Sequence, residues 1–219
     1  APQRLLYEDG RQTDPLISDL ITACKKAGGR VLPVTRSLLV KVSNKDNPQT
    51  VIGAYQQFST NLSEIKTADV RCWVALDRIR DPGNLGTIIR TIDAVAADGV
   101  ILIDDCTDPF SVESVRASMG AIFTLKVSHC TSEEFITFKK EFKGSVIGTA
   151  LQSSIDYRTA DWRAPCIILM GNEQAGLPTK LRQACDQIIA MPMQGRSDSL
   201  NLAVATGISL YEFLRNQSD

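Results

Sequence analysis

Three stretches of this sequence place polar side chains where an apolar run gives way to a helical pattern. The first is Asp81-Pro82-Gly83-Asn84-Leu85-Gly86. Proline presets φ at the second position of a turn and glycine supplies positive φ at the third, so residues 81–84 read as a type II turn with Asn84 as the N-cap of the helix behind it. That helix carries Leu85, Ile88, Ile89, Ile92 and Val95 on one face. At 100° per residue Arg90 points nearly opposite and presents its guanidinium to a partner or to water. The second stretch, Met170-Gly171-Asn172-Glu173-Gln174-Ala175-Gly176-Leu177-Pro178, holds polar side chains between two glycines that permit close backbone approach. The third runs from Met191 to Asn201, with Ser199 as a good N-cap whose first helical turn exposes N–H groups able to hold a carboxylate or phosphate. Each junction alone is modest: an arginine on a helix is most simply solvated, and Ser199 caps a helix whatever else it does.

The elements that position these residues follow from periodicity. Residues 71–76, 99–103, 121–127, 145–149, 166–170 and 187–191 are short continuous apolar runs, the mark of strands buried on both faces of a parallel sheet. Helical patterns lie between them at 84–97, 111–119, 132–142, 178–186 and 199–214. Strands alternating with helices define an α/β fold with a mostly parallel sheet, and in such sheets ligands bind beyond the carboxyl ends of the strands. Residues 1–58 read as a smaller βαβ-like piece: Leu5-Leu6, a helix over 15–27 stopped by Gly28-Gly29, then a strand over 31–34. The polar, aperiodic segment around 59–70 reads as a linker, which leaves 71–219 as the main domain.

Composition narrows the chemistry. The 219 residues are 43% hydrophobic and 22% charged, enough for a buried core. No apolar run approaches the roughly 20 residues that a spanning helix needs, and the first ten residues lack a secretory pattern, so no membrane is expected as a partner. The sequence opens on Ala1 rather than Met, which is expected to reflect processing or engineering upstream. A net charge of −1 gives no global pull toward nucleic acid, although residues 1–60 carry net +3 and the remainder −4. The six cysteines are widely spaced with no C-x-x-C pair, so they read as buried thiols in a reducing compartment rather than as a metal or redox site. A single histidine, His129, excludes a His-rich metal centre and argues against a Ser-His-Asp hydrolase. No G-x-G-x-x-G or P-loop supports a dinucleotide or NTP site.

In combination, D-P-G-N-L-G-T-I-I-R (81–90), M-G-N-E-Q-A-G-L (170–177) and M-P-M-x-G-x-x-x-S-L-N (191–201) resemble the three signature motifs of the SpoU (TrmH-like) family of RNA ribose 2′-O-methyltransferases. The stretch from Asp108-Pro109-Phe110 to Ser118-Met119-Gly120 is a further match, and the resemblance spans about residues 71–215. Residues 1–58, including Asp46-Asn47-Pro48-Gln49, are more weakly similar to the family's ribosomal-protein-like RNA-binding domain, with its first elements missing. The resemblance implies a C-terminal trefoil knot of SPOUT type, S-adenosyl-L-methionine bound in the knot, and a homodimer that completes the site. It implies structured RNA as substrate, rRNA favoured over tRNA, and a cytoplasmic location, or an organellar matrix if a transit peptide has been removed. Residue by residue, Asn84 and Arg90 match the catalytic pair of the first motif, Glu173 the acidic position of the second, and Ser199 and Asn201 the polar positions of the third. Gly171, Met191 and Leu200, with Thr149 and Leu151 on a nearby loop, match cofactor contacts made largely through backbone. Gln174 stands where glycine is frequent, Met191 where isoleucine is usual, and Glu113 where a basic residue is common.

Methyl transfer to a ribose hydroxyl needs positioning rather than a metal, because the cofactor brings the reactivity. A guanidinium stays protonated up to a pH of about 12. Arg90 therefore reads better as a clamp on the phosphate beside the target ribose than as a base. Two other classes are weighed against this reading: a non-catalytic RNA-binding or assembly protein that has kept the fold, and a knotted methyltransferase acting on a base. The intact polar set argues against the first and the S-L-N motif against the second.

Overall fold

The computed structural model describes residues 2–58, 60–65, 70–150 and 154–217. Its contacts divide the chain into two compact units, one ending at Phe58 and the other beginning at Ser59.

The first unit is a three-stranded sheet with two helices. Strand β1 (Arg4–Glu8) and strand β2 (Arg30–Val34) run parallel around helix α1 (Pro15–Lys26), as the apolar pattern predicts. Two further elements follow that periodicity did not reveal. Helix α2 (Arg36–Ser43) is capped by Thr35, whose hydroxyl accepts from the Leu38 N–H, and strand β3 (Val51–Ala54) pairs antiparallel with β1. Leu5, Tyr7, Ile17, Cys24 and Leu39 form the buried centre.

The second unit is built on eight strands whose pairings all run parallel among the described residues. In chain order these are β4 (Thr60–Asn61), β5 (Cys72–Asp77), β6 (Gly99–Ile103), β7 (Lys126–Cys130), β8 (Ser145–Thr149), β9 (Ile155–Asp156), β10 (Cys166–Met170) and β11 (Gln187–Ala190). Across the sheet they lie in the order β4-β7-β6-β5-β10-β8-β11-β9. Four helices lie between strands, α3 (Pro82–Ala94), α4 (Val112–Ala117), α5 (Ser132–Glu141) and α6 (Thr179–Gln183), and α7 (Leu202–Arg215) follows the last strand. No helix among the described residues is long and apolar enough to cross a membrane.

Period-two alternation sorts the central strands into two cores. Cys72, Val74 and Leu76 of β5 with Cys166, Ile168 and Met170 of β10 face α3 and α7, where they meet Leu85, Ile88, Ile92, Leu210 and Phe213. Trp73, Ala75, Ile167 and Leu169 face the other way, against Phe135 of α5 and Leu181 of α6. Covering on both faces is why these strands are apolar throughout.

Two expectations are revised here. The run at 121–127 is not one strand: Ala121–Phe123 forms a 3-10 turn that buries Ala121 and Ile122, and β7 begins only at Lys126. A short apolar run serves a buried turn as well as a strand, so its period does not separate them. Within the expected linker 59–70, Thr60 and Asn61 pair with Ser128 and His129 at the sheet edge, and Leu62–Glu64 form a 3-10 turn; residues 59 and 66–69 lie outside the described residues.

Helix α4 is pressed onto the first turns of α3, where Ser114 Oγ donates to the Pro82 carbonyl at 3.0 Å. A Cβ on Gly86 would overlap the Ser114 carbonyl oxygen and stand 2.5 Å from Ala117 Cβ. Gly86→Ala is therefore expected to lower unfolding stability by about 1–3 kcal/mol through overpacking. Thr87→Ala, one position along on the exposed face, should change it by no more than about 0.5 kcal/mol. Thermal and denaturant unfolding of the two variants checks this, and equal losses would refute the close-packing account.

Candidate active site

From β5 the chain moves outward to β6 and β7; later it adds β10, β8 and β11 on the other side of β5. The border between β5 and β10 is thus a topological switch point, where the connections at the carboxyl ends part and leave a crevice. An open cleft of about 620 Å³ lies there. Met170, Ile189 and Leu202 give it an apolar floor, and its rim is polar.

The cleft is lined by Asn84, Thr149, Gly171, Glu173, Met191, and the run Ser199, Leu200 and Asn201. Leu151 lies outside the described residues. Arg90 is not part of the lining: it sits on the exposed face of α3, and its side chain has no hydrogen-bond or ion-pair partner among the described residues. His129 lies on β7, the strand next to the edge, paired with Asn61 on one side and Leu102 on the other, and burial lowers its pKa from the usual 6.5.

Both helix starts at the cleft differ from expectation. The turn at 81–84 is not type II, because α3 already begins at Pro82 with Asp81 as its N-cap. Proline suits the first helical position as well as it suits a turn, and a carboxylate is favourable at the positive end of a helix. Asp81 Oδ1 accepts from the Asn84 N–H at 2.6 Å. Asn84 is consequently in the first turn, with its side chain free to bond elsewhere. Likewise Ser199 does not cap α7. Asn201 does, its Oδ1 accepting from the N–H groups of Ala203 (2.9 Å) and Val204 (3.3 Å). Serine and asparagine are both good caps, and Leu202, the first helical residue, selects the nearer one. The Ser199 side chain makes no hydrogen bond among the described residues.

The remaining donor group of Asn201 reaches across the cleft. Its Nδ2 donates to Asn84 Oδ1 at 3.0 Å, joining the first and third motifs over 117 positions of sequence. The second motif is tied in the same way. Asn172 Oδ1 accepts from the N–H groups of Gln174 and Ala175, each at 3.0 Å, while its Nδ2 donates to the Arg78 carbonyl at 2.8 Å. The loop folds tightly enough that a Cβ on Gly171 would overlap Gly176 and the Leu177 nitrogen, and Gly176 turns with φ +64. Glu173 stands exposed at its tip. On its other side is a second hollow of about 430 Å³ bordered by Arg78, Arg80 and Asp81, so that Asn172, Glu173 and Gln174 form a wall common to both. Arg78 reaches it from a left-handed backbone (φ 49), its guanidinium gripping the buried carboxylate of Asp77 at 2.8–3.2 Å.

Sequence reasoning assigned no role to Asn172 or Asp81. The signal for Asn172 was its place between two glycines. Asp81 fits the first position of a turn and the cap of a helix equally well in the sequence, and the structure makes it the cap. Met170 and Ile189 belong to strands and line the cleft as well.

The fold and the cleft define a class: a parallel-sheet α/β protein with an open cleft at the switch point of its sheet, rimmed by amides and by carboxylate and hydroxyl groups. The model of the SpoU rRNA Methylase family matches residues 71–211, and the chain belongs to that family. It is 29% identical over 218 residues to a 23S rRNA (guanosine-2′-O-)-methyltransferase, RlmB, of Ralstonia nicotianae, covering 97% of this chain and 88% of the relative. It is 30% identical over 220 residues to a 23S rRNA (uridine(2479)-2′-O)-methyltransferase of Streptomyces viridochromogenes, covering 97% and 76%. The crystal structure of an AdoMet-bound rRNA methyltransferase from Sinorhizobium meliloti superimposes with a TM-score of 0.93 at 42% identity, covering all of this chain and 81% of the other.

Asn172 is the only side chain seen to bond the 171–177 loop to the β5–α3 connection among the described residues. Asn172→Ala should lower global stability by about 1–3 kcal/mol, since the Arg78 carbonyl and two loop N–H groups lose their partners. The effect should concentrate in the loop, with amide hydrogen exchange of Gln174 and Ala175 accelerating at least tenfold while β10 stays protected. Unchanged exchange at those two amides would show that the loop is held by other means.

Proposed function

We propose that this chain transfers the methyl group of S-adenosyl-L-methionine to the 2′-hydroxyl of a ribose in rRNA. The observation that carries the reading is the Asn201–Asn84 bond: it brings the first and third motifs to one cleft whose opposite wall is the second. The cleft suits the cofactor. Its volume falls within the roughly 300–1,000 Å³ of small-molecule sites, and its floor is apolar. Gly171 is part of its wall, and the missing side chain there lets the 171–177 loop close on Gly176 and Leu177. Gly171, Met191, Leu200 and Thr149 are the positions that would hold the cofactor. When bound, S-adenosyl-L-methionine supplies an electrophilic methyl group on a sulfonium.

The protein's own contribution is positioning and charge. Asn84 meets the ribose from the first turn of α3, and Glu173 and Ser199 border the same space. The hydroxyl must lose its proton as its oxygen gains the methyl carbon. Arg90, protonated at any physiological pH, is assigned to the phosphate beside that ribose, where it offsets the developing negative charge while the proton passes to phosphate or water.

The rest of the architecture is read in the same terms. The strand order β5-β10-β8-β11, with α7 returning onto α3 and β10, supports a C-terminal trefoil knot. The βαβ piece at 1–58 is assigned to RNA binding, residues 71–219 to catalysis, and the whole to the cytoplasm. Val204 and Tyr211, 52% and 56% exposed on α7, support a homodimer through that helix that brings a second copy to the site. Light scattering should give about twice 23.9 kDa, and a stable monomer at high concentration would refute the dimer.

Mapping ribose methylation in rRNA from cells with and without this protein tests the function. One alkali-resistant dinucleotide should vanish with the protein, and an unchanged map would overturn the reading. Arg90→Ala, on the exposed face of α3, should fold and bind S-adenosylhomocysteine as the parent does yet lose at least about 100-fold in single-turnover methyl transfer. A parental rate would make Arg90 a solvated helix residue and nothing more.

A further inference from the structure

Asn201 and Asn84 meet side chain to side chain, and which way each amide faces is decided by the backbone of α7. The first-turn N–H groups of Ala203 and Val204 are donors, so the atom of Asn201 that meets them must be the carbonyl oxygen. Its NH2 group is thereby turned toward Asn84. A donor needs an acceptor, so Asn84 offers its own Oδ1, at 3.0 Å. The choice propagates: the Asn84 NH2 group is left without a hydrogen-bond partner among the described residues, on a side chain that lines the cleft.

We infer that Asn201 is a positioning residue that sets the polarity of Asn84, so that Asn84 presents an N–H donor, and not a carbonyl, to the ribose oxygen that accepts the methyl group. The inference rests on the methyltransferase reading. A donor at that oxygen stabilises the negative charge that grows as the hydroxyl proton departs, whereas a carbonyl there would oppose it. Capping α7 and aiming Asn84 are then two outcomes of one amide orientation.

Asn201→Asp separates these duties. A carboxylate caps a helix as well as asparagine does and suits its positive end. It has no N–H to give, so Asn84 must turn its NH2 toward residue 201 and its carbonyl toward the cleft. If Asn201 is only a cap, this variant behaves like the parent.

The test uses the full chain, S-adenosyl-L-methionine, and rRNA extracted from cells lacking the protein. Asn201→Asp is expected to unfold at the parental temperature or above, to bind S-adenosylhomocysteine within about twofold, and to lose about 100-fold in single-turnover rate with little change in RNA affinity. Asn201→Ser keeps a cap, but its shorter side chain brings no donor to Asn84 and does not impose the opposite polarity. Its rate should fall between the two. A parental rate in Asn201→Asp overturns the proposal. A second measurement needs no activity: in ¹⁵N-labelled protein, the side-chain NH2 signal lost in Asn201→Asp should exchange slowly with water, and the one lost in Asn84→Asp rapidly. The reverse order would show the opposite polarity and sink the inference. A parent that methylates no rRNA would instead refute the proposed function, and the exchange data would still decide the polarity.

Discussion

Two asparagine side chains hold this site together, and both work by the same rule. Each uses its carbonyl to satisfy two backbone N–H groups of its own segment and its NH2 to reach the connection between β5 and α3. Asn172 bonds the Arg78 carbonyl at the beginning of that connection, and Asn201 bonds Asn84 just beyond its end. The loops after β10 and β11 are thus referenced to a single piece of chain. An amide is the one short side chain with a donor and an acceptor on opposite arms: aspartate has no N–H to give to the Arg78 carbonyl or to Asn84 Oδ1, and the serine hydroxyl is too short to meet both sides.

The sheet makes such bonds geometrically available. Because β5, β8, β10 and β11 run parallel, their carboxyl ends emerge on one edge, and β10 stands directly between β5 and β8. Loops separated by roughly a hundred residues therefore become neighbours without any long-range charge pairing. The supporting side of the connection is equally constrained. Gly86 has no room for a methyl group against α4, and Asp81 holds the Asn84 N–H, so the first turn of α3 is fixed from two directions.

Much of this was legible in the residues. Continuous apolar runs at 99–103 and 166–170 are strands with those bounds, because burial on both faces leaves no polar position to blur them, and 145–149 keeps its bounds with Ser145 and Thr149 half-buried at its ends. The three junctions were recognised as chemical from their glycines and uncharged polar groups. The helix starts were misplaced because each candidate turn contains several competent caps within three residues. Asp81 against Asn84, and Ser199 against Asn201, are decided by where the other's side chain lies, which is a tertiary fact. The same holds for β7: Ala121 and Ile122 are apolar for the sake of α3, not for the sheet. Strand β3 leaves no period in the sequence because Val51–Ala54 is short and half-exposed.

Arg90 shows the limit from the other side. Helical periodicity placed it opposite the isoleucine stripe, and it is there, without a partner among the described residues and outside the cleft lining. A guanidinium left in water gains nothing for the fold, so stability does not account for its position. The asparagines differ in this respect, since Asn172 and Asn201 bond the backbone as well as the site. Substitution at Asn201 therefore mixes a folding effect with any chemical one, whereas substitution at Arg90 does not. The two residues stand in the same resemblance to one family, yet they require different experiments: Arg90 is tested by deletion, and Asn201 only by a replacement that preserves the cap.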